Sequence, residues 1–202
     1  MPHSLARRKL ASAAAHLNAR SRHFGRVPLL VLMTDDERLG DPLAAAKLLP
    51  RGAMIVVRAR DAATRAARAR ALIALGRARD LLILIANDAP LASRCGADGV
   101  HLSEANAYQA AHWRALRPQW FISAAAHSAR AATLTRFVDA LFLSPIFPTA
   151  SHPNAASLTP MRANKIARAS RVPVYALGGV TDRNVSLLHG FAGVAAVGAL
   201  QA

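Results

Sequence analysis

Glycines and basic, amide and hydroxyl side chains follow the short apolar runs of this sequence, and together they suit the binding of an anion. The pair Gly178–Gly179 and the later Gly198 have the most direct chemistry, because a residue without a Cβ lets its backbone N–H approach a phosphate closely. A Gly–Gly pair is also common in turns, so its place in the fold decides what it indicates. The polar residues at comparable positions are Arg58, Arg60, Asn87, Asp88, Ser123, His127, Thr149 and His152.

Short apolar runs that alternate with helical stretches must position these groups. Continuous runs of this length are typical of strands that are buried on both faces of a parallel sheet. The stretches Asp61–Arg77, Asn106–Leu116 and Met161–Ala169 carry apolar residues at helical spacing. The runs are Pro28–Met33, Ala53–Val57, Leu81–Ala86, Gly99–Leu102, Trp120–Ser123, Ala140–Leu143, Pro173–Leu177 and Val194–Val197.

Repeated alternation of strand and helix predicts parallel pairing with right-handed crossovers, and eight repeats predict a closed (β/α)8 TIM barrel. Ligands bind such barrels just past the carboxyl ends of the strands, and phosphates often bind after strands seven and eight. Gly178–Gly179 follow the seventh run and Gly198 follows the eighth, so we predict a phosphate site there. A Gly179→Val side chain is expected to fill this site.

Residues 1–26 are predicted to form a basic helical arm ahead of a compact barrel that spans residues 27–202. The arm has six basic residues and no acidic residue, and Leu10, Ala13, Ala14 and Leu17 share one face of its helix. Few residues follow the eighth run, so the final helix of the barrel is expected to be short or missing. The arm could cover that gap; a frayed basic tail is the alternative.

The composition indicates a globular domain with a strong positive charge. Of 202 residues, 53% are hydrophobic and 18% are charged, which excludes a disordered polymer. A net charge of +15 favours anionic partners such as phosphates, nucleic acid or a membrane surface. Cys95 is the single cysteine, and there is neither an export signal nor a run long enough to span a membrane, so we expect a cytoplasmic protein. The arginines expected on a solvated helix face are Arg65, Arg68, Arg70, Arg77 and Arg79.

Several segments, in order and spacing across about residues 28–198, resemble the thiamine phosphate synthase/TenI family. The resemblance implies a barrel that binds thiazole phosphate or thiamine phosphate at the carboxyl ends of its strands, in thiamine biosynthesis. The segments are Asn87–Asp88, Cys95–Leu102, Ser144–Thr149, Val172–Gly179 and Ala192–Gly198.

Three positions depart from the pattern of the synthase branch, which joins a pyrimidine methyl pyrophosphate to thiazole phosphate and uses Mg²⁺. The family's strand-two signature Gln-x-Arg-x-Lys becomes Val56, Arg58 and Arg60, so the pyrimidine-binding Gln is absent. The first acidic ligand of Mg²⁺ matches Asp88, but the second position is Asn106, and a neutral amide weakens a site for a hard cation.

The third departure is in the lid motif Thr-x-Thr-Lys of the synthase, which reads Thr149-Ala150-Ser151-His152. His152 lies in a Pro-bounded loop of the kind that closes over a barrel site. With three positions changed, the resemblance favours the other branch. A synthase that tolerates the changes, with Mg²⁺ as cofactor, is the alternative.

The TenI branch contains thiazole tautomerases, which move a proton on a carboxylated thiazole phosphate and use no metal. The family's His after strand five matches His127, and an imidazole titrates near neutral pH without help. Position alone also allows His127 to be a helix-start residue ahead of Ser128. His101 falls inside the fourth run, where packing or hydrogen bonding is the expectation.

A third class, a non-catalytic phosphate- or nucleic-acid-binding regulator, would exploit the charge of +15. Only 5% of the residues are aromatic, and no basic run is interleaved with Phe or Tyr for base stacking. We therefore expect a small phosphorylated thiazole as the partner, with no specific nucleic acid and no membrane. Assembly into a homo-oligomer is compatible with the sequence.

Overall fold

Eight parallel strands close into a barrel within the described part of the chain. The computed structural model describes residues 2–23, 25, 27–149, 156–197 and 200, and of residues 2–7 the backbone alone. Each strand pairs with the next along the chain, and the last pairs with the first through Leu30 and Val194. This confirms the predicted (β/α)8 TIM barrel. The strands are β1 (Leu30–Met33), β2 (Met54–Val57), β3 (Leu82–Ala86), β4 (Gly99–Leu102), β5 (Phe121–Ala126), β6 (Ala140–Leu143), β7 (Val174–Ala176) and β8 (Gly193–Ala196).

Helices cover the outside of the barrel and begin at the capping residues that the sequence provides. The side chains of Asp61, Asp88 and Ser128 each accept a hydrogen bond from the first turn of the helix that follows. Asp80 and Gly96 end two helices in the left-handed conformation. The helices are α1 (Pro2–Ala19), α2 (Pro42–Lys47), α3 (Ala62–Arg79), α4 (Ala89–Cys95), α5 (Ala110–Leu116), α6 (Ala129–Leu134) and α7 (Pro160–Ala169). No helix in the described ranges is both long and apolar enough to cross a membrane.

Most elements match the predicted bounds to within two residues, and two elements depart further from the prediction. β5 continues to Ala126, because Ala124, Ala125 and Ala126 pair with residues of β6. His127 therefore directly follows a strand end. The stretch predicted as one helix from Asn106 to Leu116 instead begins as a 3-10 helix, Glu104–Gln109, and continues as α5.

Helix α1 packs against the outside of β8. Leu10 and Ala14 are fully buried and Leu17 is nearly so, as the amphipathic pattern predicted. The side-chain amide of Asn18 donates a 2.7 Å hydrogen bond to the carbonyl oxygen of Ala192, just before β8. The N-terminal segment thus covers the β8 side of the barrel with an apolar face.

Candidate active site

The ends of β1 and β2 are joined by two hydrogen bonds through one buried hydroxyl. The Thr34 hydroxyl donates to the carbonyl oxygen of Arg58 at 2.8 Å and accepts from the Arg58 amide at 2.7 Å. The next residue, Asp35, lies 2.6 Å from the guanidinium of Arg38 and 3.7 Å from that of Arg58. The hydrogen bond from Arg38 lowers the pKa of Asp35 to about 2. Arg58 thus stands at the barrel mouth beside a carboxylate that stays ionised at neutral pH.

A second set of charges extends this rim toward α3. Arg68 donates to Asp36 at 2.8 Å and to the carbonyl oxygen of Arg58 at 2.6 Å, with 15% of its side chain exposed. Hydrogen bonds from the Arg60 amide and from Arg68 lower the pKa of Asp36. The Arg60 side chain is 83% exposed and lies 2.7 Å from Glu37. The expectation that Arg68 lies on a solvated helix face is therefore wrong, because its guanidinium holds the end of β2.

Asn87, at the end of β3, organises the neighbouring loop. Its φ of 52° is left-handed, a conformation that Asn tolerates better than most residues. Its side-chain oxygen accepts from the Ser103 amide at 2.8 Å and from the Asn106 amide group at 3.2 Å. Asn87 is exposed and is therefore accessible to a ligand.

The side-chain oxygens near Asp88 do not fit a Mg²⁺ site. One carboxylate oxygen of Asp88 caps α4 by accepting from the Leu91 amide at 3.0 Å, and the other faces Arg65 at 3.6 Å. Glu104, an acid in the segment after β4, accepts a hydrogen bond from the His127 amide at 2.6 Å through one carboxylate oxygen. The described residues contain no group of three His, Cys, Asp or Glu side chains that could hold a metal ion.

Ser123 and His101 lie in the barrel interior beneath the rim. Ser123 is fully buried, and its hydroxyl is 3.0 Å from Nδ1 of His101. The His101 ring contacts Phe142 edge to face at 4.7 Å. Burial, assisted by the charges of Arg58 and His127, lowers the pKa of His101 to about 3. The expectation that His101 packs and hydrogen-bonds is confirmed, and at neutral pH its imidazole is uncharged.

His127 stands on the rim between β5 and β6. Its Nδ1 lies 2.8 Å from the carbonyl oxygen of Ser144 and 3.3 Å from the Ser144 hydroxyl. Because a carbonyl oxygen only accepts, this contact assigns the proton of the neutral imidazole to Nδ1. Nε2 is then unprotonated, and the described residues give it no hydrogen bond. Ser128, not His127, caps α6, so His127 precedes the helix.

The backbone after β7 presents unused N–H groups. Gly178 and Gly179 have φ values of 89° and 67°, and successive backbone N–H groups in a turn can form a concave anion site. None of the amides of Gly178, Gly179 and Val180 donates a hydrogen bond within the described ranges. The backbone of Gly178–Gly179 also contacts the loop after β6. The Phe147 amide in that loop donates a hydrogen bond to the carbonyl oxygen of Gly178 at 3.1 Å.

The close contact with the β6 loop changes the expected effect of a side chain at Gly179. A Cβ there would lie 2.6 Å from the carbonyl oxygen of Pro148 and 2.7 Å from Cβ of Phe147. A valine at this position would therefore displace the β6 loop rather than only fill a ligand site. Thr149, half-buried, ends the described part of this loop, and both His152 and Gly198 lie outside the described residues.

The structure brings most of the predicted site residues to one end of the barrel. Arg58, Arg60, Asn87, Asp88 and His127 all follow the carboxyl ends of their strands. Sequence reasoning missed Arg65 and Arg68, whose side chains turn from α3 to this end. A usable signal was their spacing of three residues from each other in the first two turns of α3.

Comparison with known proteins gives concordant results. The sequence model of the family described as thiamine monophosphate synthase matches residues 30–200. Proteins named thiamine-phosphate synthase from Chlorobium luteolum and Thiobacillus denitrificans are each 32% identical. The first match covers 86% of this chain and 85% of the relative; the second covers 76% and 75%. The solved structure of a thiamine phosphate pyrophosphorylase from Pyrococcus furiosus is similar in fold, with a TM-score of 0.68, 24% identity and coverage of 84% and 85% of the two chains.

Proposed function

The chain belongs to the thiamine monophosphate synthase family, and on that premise we propose that it acts on a thiazole phosphate as a TenI-like tautomerase. The reaction is an isomerisation: a proton leaves one ring position of a carboxylated thiazole phosphate and another is added elsewhere, which makes the ring aromatic. Such a reaction needs an anion site for the phosphate and one group that both accepts and returns a proton.

The observation that carries this proposal is the hydrogen bonding of His127. The Ser144 carbonyl oxygen fixes the ring orientation and leaves Nε2 with its lone pair, as a general base requires. After Nε2 accepts a proton, both ring nitrogens carry hydrogen, and the Ser144 carbonyl oxygen stabilises the imidazolium that forms. The same nitrogen can then return the proton.

The phosphate end of the substrate is assigned to the amides of Gly178, Gly179 and Val180, with Gly198 as a further candidate. Ser144, which orients His127, begins the loop whose Phe147 amide donates to Gly178. The proton carrier and the anion site therefore lie on either side of one loop. Asn87, Arg58, Arg60, Ser123, Thr149 and His152 are proposed to contact or support the rest of the substrate.

The second candidate is thiamine phosphate synthase, and the names of the relatives favour it. In that reaction the bond between the pyrimidine methylene and pyrophosphate breaks, and thiazole nitrogen bonds to the methylene. Arg58 and Arg60 could neutralise part of the charge on the leaving pyrophosphate. The Asp88 environment argues against this candidate, because one oxygen of Asp88 caps α4 and the other faces the guanidinium of Arg65.

Two assays on one protein preparation distinguish the tautomerase from the synthase. Tautomerisation of the carboxylated thiazole phosphate in D2O is followed by NMR, with and without a chelator. Coupling of the pyrimidine pyrophosphate to thiazole phosphate is measured with and without Mg²⁺. We expect chelator-insensitive tautomerisation with deuterium incorporation. Magnesium-dependent thiamine phosphate formation without tautomerisation would establish the second candidate.

A further inference from the structure

Asp88 has a counter-ion that the chain itself supplies. Arg65 extends from the first turn of α3, and its Nη1 lies 3.6 Å from Oδ2 of Asp88. Both side chains are mostly shielded, with 19% of Arg65 and 26% of Asp88 exposed. Solvent screening is weaker at such a site than at an open surface, so the guanidinium places a positive charge beside this carboxylate that salt screens only in part.

The side chains that would complete a cation site around Asp88 already make other hydrogen bonds. Oδ1 of Asp88 accepts from the Leu91 amide, so the helix cap already occupies it. The amide nitrogen of Asn106 donates to Asn87. Glu104 accepts the backbone amide of His127. The exposed side of this carboxylate therefore offers one oxygen, and that oxygen faces Arg65.

The burial of Arg65 indicates an electrostatic role. Its Nε is buried and has no hydrogen-bond partner among the described residues. An unsatisfied buried donor costs free energy of folding, so Nε makes no hydrogen bond that would explain the position of this side chain. What its position does achieve is a fixed positive charge beside Asp88.

We propose that Arg65 takes the place of a divalent cation at Asp88 and makes the phosphate-binding rim independent of metal. A guanidinium within 4 Å repels Mg²⁺ and competes for the oxygen that Mg²⁺ would need. The rim would then accept phosphate monoesters, which amides and arginines can neutralise. It would disfavour diphosphates that bind as magnesium complexes. As a statement about substrate class, this inference rests on the proposed function, whereas the exclusion of the cation does not.

Titration with Mn²⁺, monitored by the loss of its aqueous electron paramagnetic resonance signal, tests the inference directly. We compare the wild-type chain with Arg65→Gln and with the double variant Arg65→Gln/Asn106→Asp, which restores a second acid. Removal of the charge should tighten Mn²⁺ binding, and the double variant should bind at least tenfold more tightly than the wild type. Adding Asp88→Asn to the double variant should abolish this gain.

Two control variants separate the role of the charge from effects on folding. Arg65→Lys keeps the positive charge and should bind Mn²⁺ as weakly as the wild type. Arg70→Gln removes the same charge from an exposed position on the same helix and should also match the wild type. Thermal unfolding of each variant identifies any that does not fold; if the double variant fails, Arg65→Gln against Arg65→Lys decides.

The inference is overturned if the wild type binds Mn²⁺ as tightly as the double variant, or if folded Arg65→Gln binds no more tightly than Arg65→Lys. These results are independent of the tautomerase assay. A chain that lacks tautomerase activity but shows the expected Mn²⁺ series would disprove the proposed function alone.

Discussion

At the scale of single residues, the proposed role of His127 in proton transfer can be tested by substitution. If Nε2 transfers the proton, His127→Gln should lower kcat by about 100- to 10,000-fold, the usual contribution of general acid–base catalysis, with little change in KM. The part of the pH dependence of kcat that comes from this imidazole should disappear. Turnover and melting temperature are measured on the same preparation across pH 5–9.

His189→Gln is a matched control, because His189 is exposed and precedes β8 at the opposite end of the barrel. Its rate should equal that of the wild type. A His127→Gln chain with full kcat and a lowered melting temperature would limit His127 to a structural role, and His152 would be the next candidate.

His101 should make the stability of the protein depend on pH. In the unfolded chain its pKa is near the ordinary 6.5, whereas burial lowers the pKa in the folded state to about 3. Below pH 6.5 the unfolded state therefore binds a proton that the folded state does not. The free energy of unfolding should fall with decreasing pH, by up to about 1.4 kcal/mol per pH unit from this group.

Urea unfolding between pH 7 and pH 4.5 measures this effect, in a range above most of the carboxylate titrations. The slope should be smaller in His101→Gln than in the wild type and unchanged in His112→Gln, whose side chain is exposed. Equal slopes in all three chains would show that His101 is protonated inside the fold.

At the scale of elements, α1 is expected to be an integral part of the barrel. Leu10 is fully buried, so Leu10→Ala should lower the free energy of unfolding by about 2–5 kcal/mol, as for other buried leucines. Leu134→Ala, at a position that is 65% exposed, should change it by less than about 0.5 kcal/mol. Urea unfolding of both variants checks this, and a frayed N-terminal tail would leave the Leu10 variant as stable as the wild type.

The segment after β7 is expected to bind phosphate through its backbone. On addition of thiazole phosphate, the amide NMR signals of Gly178, Gly179 and Val180 should shift together and saturate, because free N–H groups acquire an acceptor. This measurement needs no substitution, which matters because a Cβ at Gly179 would collide with the β6 loop. Saturating shifts confined to the β2 end of the rim would place the phosphate beside Arg58 instead.

At the scale of the whole molecule, the net charge of +15 should produce non-specific polyanion binding without defining the function. Duplex DNA of any sequence should bind at low salt, with affinity falling by about 10³-fold or more between 50 and 200 mM salt if six or more phosphates are contacted. Fluorescence anisotropy with two unrelated duplexes measures this. Sequence-selective binding that persists at 200 mM salt would instead support a nucleic-acid-binding regulator.

Much of the architecture could be predicted because it depends on local patterns. Continuous apolar runs separated by helical stretches have few arrangements in which every run is buried, and a closed parallel barrel is one of them. The runs at β4 and β6 have the bounds that the structure shows. The extension of β5 to Ala126 was missed, because three alanines carry little strand signal until β6 pairs with them.

The sequence by itself determined the barrel and the residue types at its mouth, because strand order brings all strand ends to one rim. Only the tertiary structure decided the partners of those residues. Arg65 and Arg68 look solvated along α3, yet the crossover places them against carboxylates that follow β3 and β1. The proton position on His127 likewise depends on a carbonyl of the neighbouring strand end, 17 residues away. Contacts between distant segments set these charges and hydrogen bonds, and no local pattern encodes them.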